Sequence, residues 1–237
     1  MSSTAEETQR ATALLHAEQK ASTLFDEIET TLLRPGISEK QLNDAIHHLG
    51  ATRHNVRTHW HKRVVRSGRN TLSPFAENPP DRTIEEDDIL VVDLGPVFEE
   101  WEADFGRTYV LGDDPAKLAL RDALEGIWVD VKREFDADPD ITGEGLYAIA
   151  ARRVEEEGRK QGLGWVFGAE IAGHLVGSFP HERIPNDRVT LYITPGNGEK
   201  MRSKGKGGWD RHWILEIHVH DKVRGFGGFY ERLLTVG

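Results

Sequence analysis

The sequence predicts an α+β domain. Two observations carry that expectation: four segments with helical apolar spacing, and two β-hairpins that each hold an opposed pair of carboxylates. Helices covering one face of a curved, mostly antiparallel sheet satisfy both, because every element then has one apolar face to bury. The two acid-bearing hairpins echo one another and hint at an internal two-fold. At 237 residues the chain fits one domain, 1–237, of a size that buries about 70 to 75 per cent of its surface.

The elements follow from local punctuation. From Thr4 to Leu33 the residues Leu14, Ala17, Ala21, Leu24, Phe25 and Ile28 recur on one helical face, and Pro35-Gly36 stops the run. Ser38 with Gln41 three positions on forms a capping box for a second helix through about Leu49. Segments 115–135 and 143–161 are two further amphipathic helices, the latter with Thr142 as N-cap.

Between the helix pairs, Ile89–Leu94 and Thr108–Leu111 are short apolar, β-branched runs joined by a polar segment, a candidate hairpin. Folded symmetrically about Phe98 and Glu99, it sets Asp93 across from Asp104, with Cβ atoms roughly 4.5–5.5 Å apart. Like charges so close in a partly dry place demand either a raised pKa on one acid or a cation between them. Acids in strands also occur solvated on an exposed face, so this hairpin alone does not decide. The second one does. In "HWILEIHVHDKVRGFGGFYERLLTVG", folding about Val223 and Arg224, with Gly225 free to take positive φ, places Glu216 opposite Glu231. Four carboxylates and a neutral imidazole suit two hard or borderline divalent ions. The imidazole has a candidate in "EIAGHLVGSFPHERIP".

Composition narrows the alternatives. Without cysteine, neither disulfides nor thiolate ligands are available. A formal net charge of −10 argues against binding to a nucleic-acid backbone. No apolar run approaches about 18 residues, and "MSSTAEETQR" has no signal-peptide core, so a soluble cytoplasmic protein with no membrane partner is expected. "HERIP" begins like a zincin motif, but Pro185 forbids the helix that motif needs. "SKGKGGWD" lacks P-loop spacing and reads as a flap beside the site. The pairs His47 with His48 and His59 with His61 read first as surface histidines. Trp60, Trp101, Trp165, Trp209 and Trp213 are expected mostly in the core.

The run "VVDLG", the acid eleven positions on in "ADFGRTY", the "GHLVG" histidine, the "LEI" glutamate and the "YER" glutamate together resemble the ligand pattern of a known superfamily. It is the pita-bread metallopeptidases: methionine aminopeptidase, Xaa-Pro aminopeptidase, prolidase and creatinase. The pattern extends over some 140 residues, and the likeness runs from about residue 10 to the C-terminus. The resemblance implies a pita-bread fold without the separate N-terminal domain of the longer relatives. It implies metal ligands Asp93, Asp104, His174, Glu216 and Glu231 for two divalent ions, manganese first, with cobalt, iron or zinc as alternatives. Glu216 would also shuttle a proton, His181 would contact the tetrahedral intermediate, and Arg107 would orient Asp104. The nucleophile would be a hydroxide bridging the two ions. The implied activity is that of an aminopeptidase or dipeptidase of the Xaa-Pro type acting on small peptides, and many relatives are homodimers.

One departure stands out. Relatives usually carry a histidine shortly after an "SG.N" stretch, and "VVRSGRNTLSPFAENPPDR" has Phe75 there. A phenyl ring cannot carry a proton, and losing a general acid or base costs about 10²- to 10⁴-fold in rate. Either His59 or His61 supplies the function, or the substrate is a small non-peptide C–N compound, as in creatinase. A non-catalytic binding module on the same fold is the third reading; such modules tend to lose ligands that are intact here.

Overall fold

A computed structural model of the chain describes residues 4–236. Helix α1, Thr4–Thr31, buries the six apolar residues its spacing singles out and stops two residues before Leu33. Leu14, Leu24, Phe25 and Ile28 each contribute about 1.5–3 kcal/mol on burial, the two alanines less. Helix α2, Glu39–Arg53, begins at the expected capping box, with Ser38 Oγ accepting from the Gln41 amide and the Gln41 side chain accepting from the Ser38 amide. It runs one turn past Leu49.

Next come β1, Thr58–His59, and β2, Val64–Ser67, followed by a short 3₁₀ turn at Gly68–Leu72. The first acid hairpin is built from β3, Ile89–Leu94, β4, Pro96–Phe98, β5, Trp101–Glu102, and β6, Phe105–Val110. Helices α3, Pro115–Ala137, and α4, Gly143–Lys160, follow, the latter capped by Thr142 Oγ1 as expected. The chain then forms β7, Val166–Phe167, β8, Leu175–Val176, and the second hairpin, β9, His212–Asp221, with β10, Phe226–Leu233.

The main sheet has the order β2-β3-β6-β10-β9-β7, all neighbours antiparallel, with β8 also paired to β9. Its two halves mirror one another, since the last strand of each half, β6 and β10, meet at the centre. That is the two-fold the hairpins suggested. Helices α1 and α2 share a core with β3 and β6, whereas α3 and α4 share one with β9 and β10. A smaller sheet, β1-β4-β5, stands at the tip of the first hairpin.

Strand alternation assigns the two faces. Leu90, Val92 and Leu94 of β3 and Leu215, Ile217 and Val219 of β9 enter the helix-covered cores. Asp93 and Glu216 therefore point to the other face. Among the described residues no helix is long and apolar enough to cross a membrane.

Candidate metal centre

The second hairpin has the predicted register, with Glu216 directly opposite Glu231. The first does not. Asp93 pairs with Gly106, and Asp104 lies two residues further along, just before β6. The turn closes one residue later than expected, at Glu99-Glu100, because Glu99 takes a left-handed φ of 58°. Asp93 and Asp104 thus become diagonal rather than direct neighbours, still on one face. Glu231 of β10 also pairs with Gly106, so the four acids converge on this glycine. A Cβ on Gly106 would sit 2.1 Å from the Phe229 ring, which explains the missing side chain.

His174 joins them from the loop before β8. Its Nε2 lies 2.9 Å from Asp104 Oδ2, 3.5 Å from Glu216 Oε1 and 4.0 Å from Glu231 Oε1. Its Nδ1–H donates to the Leu175 carbonyl at 2.9 Å, which fixes Nε2 as the atom facing the acids. His61 approaches from the other side, with Nε2 3.0 Å from Asp104 Oδ1 and 3.6 Å from Asp93 Oδ1. Asp104 is bracketed by two imidazoles.

The electrostatics follow from this crowding. Burial, reinforced by Asp104 and Glu216 against the pull of His61, pushes the Asp93 carboxyl up to about 7. Burial and the charges of Asp104, Asp93 and Glu216 raise Glu231 well above the carboxylate range. Burial acts on Asp104 as well, but His61 and His174 outweigh it and hold that carboxyl below its usual range. Burial disfavours both imidazolium ions. Asp104 and Asp93 nevertheless push His61 up to about 10, and Asp104 with Glu216 pushes His174 up to about 9. Two carboxylate oxygens, Asp93 Oδ1 and Glu231 Oε2, are buried with no hydrogen-bond partner. Orphaned carboxyl oxygens beside imidazole nitrogens are the donor set a divalent cation would satisfy.

The surrounding side chains divide into those the sequence pointed to and those it did not. His181 lies close by, its Nδ1 2.7 Å from Glu102 Oε2 and its amide donating to Glu102 Oε1 at 3.1 Å. Glu102 is 1% exposed and was missed; its one signal is its position two residues before Asp104, on the same strand face. Trp60, one of the tryptophans that could line a pocket or fill the core, stacks edge-on against His61, His174 and His181 at 4.5, 4.9 and 5.3 Å. Trp165 and Trp213 are core residues as expected. His218 Nε2 lies 2.8 Å from Glu216 Oε2; since a carboxylate only accepts, that nitrogen carries the proton.

Arg107 does not touch Asp104. Strand alternation turns it to the opposite face, where its guanidinium stacks on Phe105 and Tyr230 and donates to the Gly106 and Glu231 carbonyls at 2.7 and 2.9 Å. It supports the backbone of Glu231 instead. Of the two histidines proposed for the pocket, His61 reaches the acids, whereas the His59 ring lies 6.4 Å from His47 of α2. Phe75 is half exposed, its ring 5.8 Å from His61 and beneath the Lys62 ammonium. In the segment 203–210, the Lys206 amide donates to the carboxylate of Glu182, the neighbour of His181.

A mostly antiparallel sheet with pseudo-two-fold halves, helices on one face and an acid-rich centre on the other, defines a pita-bread hydrolase fold. Residues 12–205 match the profile of metallopeptidase family M24, and the chain belongs to that family. It is similar to solved structures across nearly its whole length. Against the prolidase from Thermococcus sibiricus the TM-score is 0.71 at 20% identity, covering 97% of this chain and 57% of that one. Against the X-Pro aminopeptidase from Thermotoga maritima MSB8 it is 0.69 at 18%, covering 100% and 63%. By sequence, the Xaa-Pro dipeptidase of Pyrococcus furiosus is 28% identical over 138 residues, which are 56% of this chain and 39% of that protein. The chain spans less than two thirds of the length of each of these relatives.

Proposed function

We propose that the chain is a dinuclear-metal-dependent hydrolase that removes an N-terminal residue from a short peptide, with the Xaa-Pro specificity named for its relatives. The observation that carries this reading is the convergence of Asp93, Asp104, His174, Glu216 and Glu231 with two of their buried oxygens lacking any hydrogen-bond partner. These five side chains would hold two divalent cations, manganese being the first choice and cobalt, iron or zinc the alternatives. Such cations supply a water that is nucleophilic near neutral pH and polarise the scissile carbonyl.

The chain's own groups do the remainder. Glu216 takes the proton of the attacking water and passes it to the leaving amine. His218, donating to Oε2, holds that carboxylate in plane. Glu102 accepts from His181 Nδ1–H and from its amide, and so orients the ring toward the reacting carbonyl. Trp60 packs beside the imidazoles and keeps them from turning.

The half-exposed Phe75 beside His61 favours a second reading, a small non-peptide C–N substrate that needs no histidine there. One experiment separates the two. Chelator-stripped protein refilled with manganese is offered short peptides with and without proline at the second position. Manganese-dependent release of the N-terminal residue, restricted to Xaa-Pro peptides, is expected. Release that persists in chelator would overturn the metal-dependent reading, and silence across the panel with two metals bound would favour the small C–N substrate.

A further inference from the structure

We infer that His61 is a sixth metal ligand, giving the Asp93 and Asp104 end of the centre an imidazole of its own. This rests on the metal-centre reading above and goes beyond its five ligands. His61, Asp93 and Asp104 offer one ligand atom each, all within 4.8 Å of one another, and Asp104, His174 and Glu231 do the same. The two triads share Asp104. Each contains one histidine, and the histidines face different oxygens of that carboxylate, His61 facing Oδ1 and His174 facing Oδ2.

Three features separate His61 from a ring that merely leans on the acids. Its Nδ1–H donates to its neighbour's carbonyl, Lys62 O, at 2.7 Å, so Nε2 is presented inward. His174 is held in the same way by Leu175 O. This is the arrangement that fixes the tautomer of a ligating histidine. The atom Nε2 approaches at 3.6 Å is Asp93 Oδ1, one of the two buried oxygens without a hydrogen bond. A cation there would satisfy that oxygen and take up a nitrogen that otherwise meets only Asp104 Oδ1, at 3.0 Å. Finally, the ring's space is built in. A Cβ at position 95 would lie 2.1 Å from His61 Cδ2, so the glycine of "VVDLG" makes the room, while Trp60 and Phe75 pack on the ring edges at 4.5 and 5.8 Å.

The chemistry has a consequence for metal choice. With oxygen donors alone, one end of the centre would be an ordinary manganese or magnesium site. An added imidazole shifts that end toward cobalt, zinc or iron. His61 therefore narrows the metal preference.

The test uses chelator-stripped full-length protein titrated with cobalt(II) chloride and, separately, manganese(II) chloride in a calorimeter, with the visible spectrum of the cobalt form recorded alongside. The wild type is expected to take two cobalt ions. His61→Ala should keep one tight step and weaken the other at least about 10- to 100-fold, with a smaller change for manganese. His61→Gly with added imidazole should recover the cobalt spectrum, a recovery that a folding defect would not give. Asp104→Ala, run in parallel, should lose both tight steps. If His61→Ala takes two cobalt ions within about threefold of wild type while Asp104→Ala does not, the sixth ligand is refuted and the five-ligand centre stands. If Asp104→Ala also binds like wild type, both readings fall.

Discussion

The two hairpins solve the same problem differently. In β9 and β10 the acids face one another across an unbroken ladder, Glu216 opposite Glu231, and Glu231 has its ionised form disfavoured. In β3 to β6 the pairing is interrupted after Leu94, Asp104 slips off the end of its strand, and two imidazoles close on it. One hairpin keeps like charges in register and raises a pKa. The other breaks register and sets two histidines on Asp104, although its Asp93 is raised as well, to about 7. An opposed pair in a rigid ladder has nowhere to go, whereas a carboxylate at a strand end can be reached from several elements.

Asp104 is the residue both triads share, and its removal has the largest expected effect. Asp104→Ala is expected to lower metal-dependent hydrolysis by about 10³-fold or more, since the cation's charge stabilisation is worth several kcal/mol and each tenfold in rate is about 1.36 kcal/mol. Initial rates on a Xaa-Pro dipeptide measure this, and an unchanged rate would refute the two-metal centre.

Stability sharpens the contrast. In stripped protein near pH 7, Asp104→Asn should cost about 3 kcal/mol, because it removes the carboxylate that both His61 and His174 face most closely, at 3.0 and 2.9 Å. Glu231→Gln should leave the fold as stable as wild type or raise its stability by about 1 kcal/mol, since the native environment already disfavours that ion. Urea unfolding of the two variants in chelator reads both. Equal losses would mean the hairpins do not differ as described.

The pH dependence has a definite sign. His61 and His174 are raised to about 10 and 9, so the stability their cations contribute is complete below pH 6.5 and is lost as pH climbs through those values. Asp93, raised to about 7, favours the fold when protonated, and that contribution fades as pH rises from about 4 through 7. All three trends agree. Stripped protein should therefore lose roughly 1.4 kcal/mol per pH unit between pH 7 and 9 for each proton the folded state holds and the unfolded state does not, while saturating cobalt or manganese flattens the slope. Melting curves at several pH values with and without metal decide it; a stripped protein that grows more stable toward pH 9 would contradict the assignment.

Much of this architecture was legible because its signals are local or periodic. The capping box at Ser38 and Gln41, the α1 stripe from Leu14 to Ile28 and the 216 to 231 register depend on spacing alone. The Asp93 to Asp104 register was not, because it turns on whether Glu99 adopts a left-handed conformation, which glutamate rarely does. In the sequence Trp60 stays open between pocket and core, and His61 between surface and site, for another reason. Nothing in "THWH" itself tells which ring turns inward; that is settled by the space at Gly95, more than thirty residues on. Arg107 failed on parity, since an odd position on β6 faces away from Asp104.

The smallest expected effect concerns Phe75. If His61 is committed to a cation, it is not free to replace the histidine that Phe75 displaces, and the centre then lacks a proton-carrying group on this rim. Phe75→His should restore one, because the half-exposed ring already sits 5.8 Å from His61 and imidazole is smaller than phenyl. A gain of about tenfold in kcat on Xaa-Pro dipeptides is expected, the lower part of the range for a positioned general acid or base. The same substitution should leave metal affinity within about threefold, since Phe75 contributes no ligand atom. If kcat does not rise while two metals remain bound, peptide chemistry is not merely weakened by Phe75, and the small C–N substrate becomes the better reading of this rim.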